Sequence, residues 1–309
     1  LLERISQPSG ETFRLRALVA LTDKNLELAF KYLEEAKNKE IIPNDLEFVK
    51  GLAYYFSSID KIGYERITPY PINRLYIKFD QESQKNIKKA QEIFFDLSNK
   101  NENVDYDVWY LASLHLMDLK KMKDKAKEFI ENNPLHYGAI TYIVAFDFDM
   151  DLNPSIQKLE EIEEKTINNI LDLVNCYNHQ KLFDKTIVLL EDRKDKFEDI
   201  ELLEKCYINT YMLNKDFDEA LDVVNQSSNE SIKRLESNIR IERYYSTSQW
   251  DELVSFFEKD LTIENLYNIC KVKAIQNDWE FITDKTDDLL KDLQLYEVLD
   301  LVITAEFNT

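Results

Sequence analysis

At 309 residues, the chain exceeds the roughly 250–300 at which one compact core stops growing, so it is either two domains or an elongated array. Only 4 of its residues are glycine, which argues against doubly wound α/β folds and β-barrels, whose turns and phosphate loops use it freely. The 39 basic and 59 acidic residues leave a net charge of −20; such a surface repels phosphate, so direct nucleic-acid and anionic-membrane partners are not expected.

Apolar residues recur at helical spacing from the start. Phe13, Ala17 and Ala20 lie on one face of a first helix, and Ala29, Leu33 and Ala36 on one face of a second. A helix over Leu46–Ser57 follows, but its partner begins only near Gln84. The intervening 59–83 stretch contains Pro69 and Pro71, which break helix, and then a weak alternation over Arg74–Phe79 that suits a half-exposed strand. It is expected to be a non-repeat insertion bracing the array, or else an arm that touches a partner through Arg66, Tyr70, Arg74 and Tyr76.

Ala126 marks another amphipathic helix, and a further, shorter pair is expected over His136–Phe148 and Ser155–Lys165. From Ile167 onward the units are clearest. Ile170, Leu173, Val174 and Tyr177 are followed by a polar break at Asn178–Lys181, then by Phe183, Thr186, Ile187 and Leu190. The same order recurs around breaks at Asn214–Asp216, Ser246–Ser248 and Asn277–Asp278. The small or apolar residue early in each second helix falls at Thr186, Ala220, Leu253 and Ile282, in steps of 34, 33 and 29. One helix pair cannot bury its apolar face alone, and stacking pairs makes a continuous core.

This spacing resembles the tetratricopeptide (TPR) family. Phe13, Ala17, Ala20, Ala29, Leu33, Ala36 and Pro43 fall on or beside its pattern positions, as do Gly51, Tyr54, Tyr177, Tyr211, Tyr244, Ala126 and Ala220. The resemblance spans nearly the whole chain, although the Leu-Gly pair of the pattern is largely missing. It implies an all-α fold: one right-handed superhelical solenoid of about eight helix pairs over 1–309. It also implies a non-enzymatic role in which a protein or peptide lies in a concave groove lined by the first helix of each pair.

In the family, the second, fifth, ninth and twelfth positions of that helix meet the partner. Carried over, they give Asn168, Leu171, Asn175 and Asn178; then Lys205 and Asn209; then Asn238, Glu242 and Tyr245; then Tyr267 and Lys271. Asn175 and Asn209 stand one repeat apart, and an amide both donates and accepts, so a ladder of asparagines could clasp an extended backbone.

Other chemistry is sparse. No phosphate loop, Gly-x-Gly-x-x-Gly or His-Glu-x-x-His occurs. His115, His136 and His179 belong to different repeats, and Cys176, Cys206 and Cys270 are expected to be small buried fillers. Asp147, Asp149, Asp151 and Asn153 have the alternating start of a calcium loop, but Leu152 and Lys158 stand where its glycine and bidentate glutamate belong. No metal or cofactor is therefore expected. Three widely spaced cysteines, no leader-like opening and no apolar run near the ~18–20 residues of a membrane span point to the cytoplasm. The chain does not open on methionine and is expected to be part of a longer polypeptide. The leading expectation is thus a scaffold or sensor segment. The alternatives are a receptor for a short signalling peptide and the recognition region of a large signalling or antiviral defence ATPase.

Overall fold

The computed structural model describes residues 8–39, 43–59, 80–100, 103–147, 149–292 and 301–305. Those residues form α-helices joined by short turns, with no strand among them. The chain divides into two compact units, Leu1–Leu182 and Phe183–Thr309.

The first unit runs α1 (Gly10–Thr22), α2 (Leu26–Lys37), α3 (Pro43–Ile59), α4 (Gln81–Ser98), α5 (Val104–Met117), α6 (Leu119–Asn132), α7 (Tyr137–Phe146), α8 (Asn153–Glu160) and α9 (Ile167–His179). Most starts are set by a side chain that accepts from an otherwise orphaned backbone N–H. Ser9 and Thr166 form capping boxes with Thr12 and Asn169, while Asp80, Asp118 and the His136 ring cap α4, α6 and α7. Consecutive helices pack together from α1 to α7, and α8 packs on α9. The odd-numbered helices also pack on one another: α1 on α3, α5 on α7 and α7 on α9.

Trp109 is the centre of an aromatic core. It lies 5.3 Å from Tyr55, 5.7 Å from Phe56 and 5.9 Å from Phe94, ring centre to ring centre. Two glycines allow close approach. A Cβ at Gly51 would stand 2.7 Å from a Phe94 ring carbon, and one at Gly138 would collide with the Val108 side chain.

The second unit runs α10 (Phe183–Arg193), a 3-10 turn, α11 (Ile200–Asn214), α12 (Phe217–Gln226), α13 (Glu230–Lys233), α14 (Glu236–Ser246), α15 (Trp250–Glu258), α16 (Ile263–Ile275) and α17 (Trp279–Asp292). α10 packs on α11, α11 on α12, α12 on α14, and each helix from α14 onward on the next. Among the described residues, apolar clusters hold it around Ala220 and Val224, around Leu253 and Phe257, and around Cys270 and Ile282.

The periodicity has a backbone counterpart. Lys24, Lys181, Lys215, Ser248 and Asn277 have left-handed backbone angles, with φ between 55° and 66°. Each donates its N–H to the carbonyl three residues back, and the next residue donates to the carbonyl five back, which is the Schellman arrangement. Five residues beyond each turn stand Ala29, Thr186, Ala220, Leu253 and Ile282, all fully buried. The helices therefore end by a left-handed turn without using glycine for it.

Several boundaries differ from expectation. The short α8 stops at Glu160 instead of reaching Lys165. The Lys165 ammonium turns back onto the carbonyls of Glu160, the last helical residue, and Ile162 just beyond it, at 3.0 and 2.5 Å. α3 and α4 extend into the 59–83 stretch at both ends. Arg66, Tyr70, Arg74 and Tyr76, with the strand expected over 74–79, lie outside the described residues. Cys176 and Cys270 are buried fillers, but Cys206 is only half-buried. Burial pushes Cys176 up to about 12 and the other two thiols up to about 11, so all three are protonated and unreactive near neutral pH.

Candidate functional site

The first unit contains a cleft of about 960 Å³. Its walls come from the odd-numbered helices: Leu18 of α1, Phe48 of α3, Asp105 and Trp109 of α5, Tyr137 and Thr141 of α7, and a stripe of α9. The floor is apolar because the same side chains continue into the Trp109 core; Phe48 meets Trp109 edge-on at 6.5 Å. Gly138 lets α7 approach Val108 of α5, both in the cleft wall.

The α9 stripe is built by helical spacing. Asn168, Asp172 and Asn175 fall at i, i+4 and i+7, on one face, and Leu171 lies beside them. Neighbouring polar groups are already engaged. The Tyr137 hydroxyl donates to Asp105 at 2.5 Å, and the Thr166 hydroxyl donates to Asn169 at 2.8 Å. Asn168, Asp172 and Asn175, by contrast, make no side-chain hydrogen bond or ion pair among the described residues. Burial in this setting pushes the Asp172 carboxyl up to about 6. An amide, a carboxylate and an amide in a row, without protein partners and above an aromatic floor, are available to a ligand.

Of the four family-derived positions on α9, three line the cleft. Asn168, Leu171 and Asn175 line the cleft, but Asn178 does not. It is 5% exposed, because it falls in the last turn of α9, where the chain folds back and Lys181 donates to its carbonyl. In the second unit Asn209, Asn238 and Glu242 are exposed on α11 and α14. Lys205 is held by Glu201 at 2.5 Å, and Lys205 and Asn229 hold the Glu201 carboxyl down to about 2. Tyr245 packs edge-on to Trp250 at 5.7 Å, and Lys271 sits over the Tyr267 ring at 4.9 Å.

Sequence reasoning missed Asp172, Phe48, Trp109 and Tyr137. Applying the first-helix stripe to α3, α5 and α7 would have reached some of them. Asp172 sits one residue outside the expected stripe, and it enters because the cleft face of α9 is wider than four positions.

The histidines are used structurally. Ser98 donates to Asp107, and His136 Nε2 lies 3.3 Å from the other Asp107 oxygen. His136 Nδ1 accepts from the Ala139 N–H, so its proton is on Nε2, facing Asp107. The serine bonds to the carboxylate and not to the ring, so this trio lacks the nucleophile–base pairing of a hydrolytic triad. His115 stacks on Phe146 at 4.4 Å, and His179 lies against the Met150 carbonyl. In the acidic 147–153 run, Asp147 is paired with Lys127 at 2.8 Å and Asp151 caps the Asn153 N–H. No group of His, Cys, Asp and Glu among the described residues is arranged to hold a metal, and no helix among them is long and apolar enough to cross a membrane.

No family model matches the chain, and a search of curated proteins returns no match.

Proposed function

We propose that this chain is a non-enzymatic helical-repeat protein of the TPR type, a right-handed solenoid acting as a cytoplasmic scaffold or sensor. It holds an extended stretch of another polypeptide in the cleft of its first unit. The observation that carries this reading is the α9 stripe: Asn168, Asp172 and Asn175 face the cleft without protein partners. Asp172 and Asn175 are half-buried and Asn168 is exposed at the end of the row; polar side chains that lose part of their water cost stability unless something bonds them, and a polypeptide backbone supplies donors and acceptors at the needed density. The five like turns support the repeat assignment, since each places a buried residue at the same point of the following helix.

The test compares two double variants in affinity capture from the native cell extract. Asn168→Ala with Asn175→Ala strips the cleft amides, and Asn209→Ala with Asn238→Ala strips exposed amides of the second unit. The expected result is a polypeptide retained by wild type and by the second variant but lost from the first. Retention by the first variant and loss by the second would move recognition out of the cleft.

A further inference from the structure

The cleft in the first unit is charged in one direction only. Asp105 and Asp172 line it, and none of its described lining residues is Lys, Arg or His. Asp105 already accepts from Tyr137. Asp172 has no hydrogen bond or ion pair among the described residues. A half-buried carboxylate in such a place attracts a cation more strongly than a carboxylate in open water, because less solvent screens it.

The neighbours of Asp172 narrow the kind of cation. Asn168 and Asn175 stand on the same face of α9, one turn before and one turn after it. Seven residues of helix span about 10 Å at ~1.5 Å per residue, which is about three residues of extended chain at ~3.3 Å each. One extended segment can therefore place a side chain on Asp172 while its backbone meets an amide on either side. Around this row stand Leu18, Phe48, Leu135 and Tyr137, which are apolar and at least partly accessible. They suit a large apolar side chain next to the cation, and the rings of Phe48 and Tyr137 also favour a cation nearby.

Resting on the proposed cleft function, we infer that the occupant is a polypeptide segment carrying a lysine or arginine beside an aromatic or large aliphatic residue, with the cation on Asp172 and the flanking backbone on Asn168 and Asn175. A small inorganic cation would leave the apolar wall unused, and no group of His, Cys, Asp and Glu among the described residues is arranged to hold one. An acidic or phosphorylated segment would be repelled by the two carboxylates.

The binding should respond to pH through Asp172, whose carboxyl burial pushes up to about 6. The other titratable groups lining the cleft are Asp105, Tyr137 and Tyr142, and burial pushes the Tyr142 hydroxyl well above its ordinary value. On α9 itself Cys176 is pushed up to about 12. α8, which also packs on α9, places Glu160 on the Tyr177 hydroxyl at 2.5 Å. Asp172 is placed to lose its charge between about pH 7 and pH 5.

The experiment pans a random-peptide display library against the intact chain, then measures synthetic copies of the enriched peptides on wild type, Asp172→Asn, and the Asn168→Ala, Asn175→Ala pair. The asparagine variant keeps the shape and removes only the charge. The expected outcome is enrichment of lysine or arginine beside an aromatic or large aliphatic residue. Affinity should be at least about tenfold weaker on Asp172→Asn, as for loss of a partly buried charge pair. That difference should close as pH falls to about 5 or as salt rises. Enriched peptides without a basic residue, or with equal affinity for Asp172→Asn, would overturn the cation assignment. If they still weaken on the Asn168/Asn175 pair, the cleft reading survives that result. Peptides indifferent to every cleft variant, or no enrichment at all, would overturn both.

Discussion

Asp172 works against the fold that holds it. Its folded-state pKa of about 6 lies above the ordinary 3.8, so the folded chain holds that proton more tightly than the unfolded chain does. The resulting contribution to stability is full below about pH 3.8 and is lost as pH rises through about 6. At neutral pH the ionised carboxylate is a net penalty, on the order of 1–2 kcal/mol after allowance for partial solvent screening. Asp172→Asn should therefore melt higher than wild type at about pH 7.5, and the gap should shrink towards about pH 4. Thermal melts of both proteins across that range check it, and an unchanged gap would mean that the carboxylate is better solvated than its setting implies. A residue that costs stability in the free protein is the kind that function retains. Gly138 makes the opposite case. Alanine is the better helix former, but its methyl group would collide with Val108. Gly138→Ala should lower the denaturant midpoint, with a net cost of roughly 1–2 kcal/mol from overpacking.

Helix ends here are decided by turns that use the wrong residue well. Lys24, Lys181 and Lys215 occupy left-handed backbone, where a Cβ costs roughly 1 kcal/mol and glycine costs nothing sterically. Lys215→Gly should stabilise the second unit by about 0.5–1 kcal/mol, less than the full steric relief because glycine also loosens the unfolded chain. Asn277→Gly should gain less, since asparagine tolerates that conformation. Chemical denaturation of the two variants separates these expectations, and equal gains would place the strain elsewhere. The turns were half legible beforehand. Polar breaks at Asn214–Asp216 and Ser246–Ser248 marked where helices stop. That a lysine or a serine, not a glycine, would adopt the left-handed angle follows only from the packing of the next helix. Ala220 and Leu253 are fully buried five residues later, and this holds the turn closed.

At the scale of the whole chain, charge dominates. With a net charge of −20, the folded chain repels itself, and the exposed ion pairs within single helices, such as Lys158–Glu161 at 2.7 Å, return little each. Screening should help the fold: raising sodium chloride from about 0.05 M to about 0.5 M should raise the melting temperature by a few degrees. The same salt should weaken a cationic segment in the cleft. Opposite responses of stability and affinity to one variable are a signature that general salting effects would not give.

The sequence by itself determined the helices, most of their ends and the repeat, because apolar periodicity and polar breaks are local properties of the chain. It also pointed to Asn168, Leu171 and Asn175 on α9, through the groove positions that the TPR resemblance implies. Only the tertiary structure decided which polar side chains would be left without a partner. Asn178 has the same residue type as Asn175 and stands three positions on, yet it is buried at the helix end while Asn175 lines the cleft. Asp172 was one acidic residue among many until α7 and α8 packed against α9 and left it half-buried, with part of its water removed. Desolvation depends on what surrounds a side chain, and those surroundings come from helices distant in sequence.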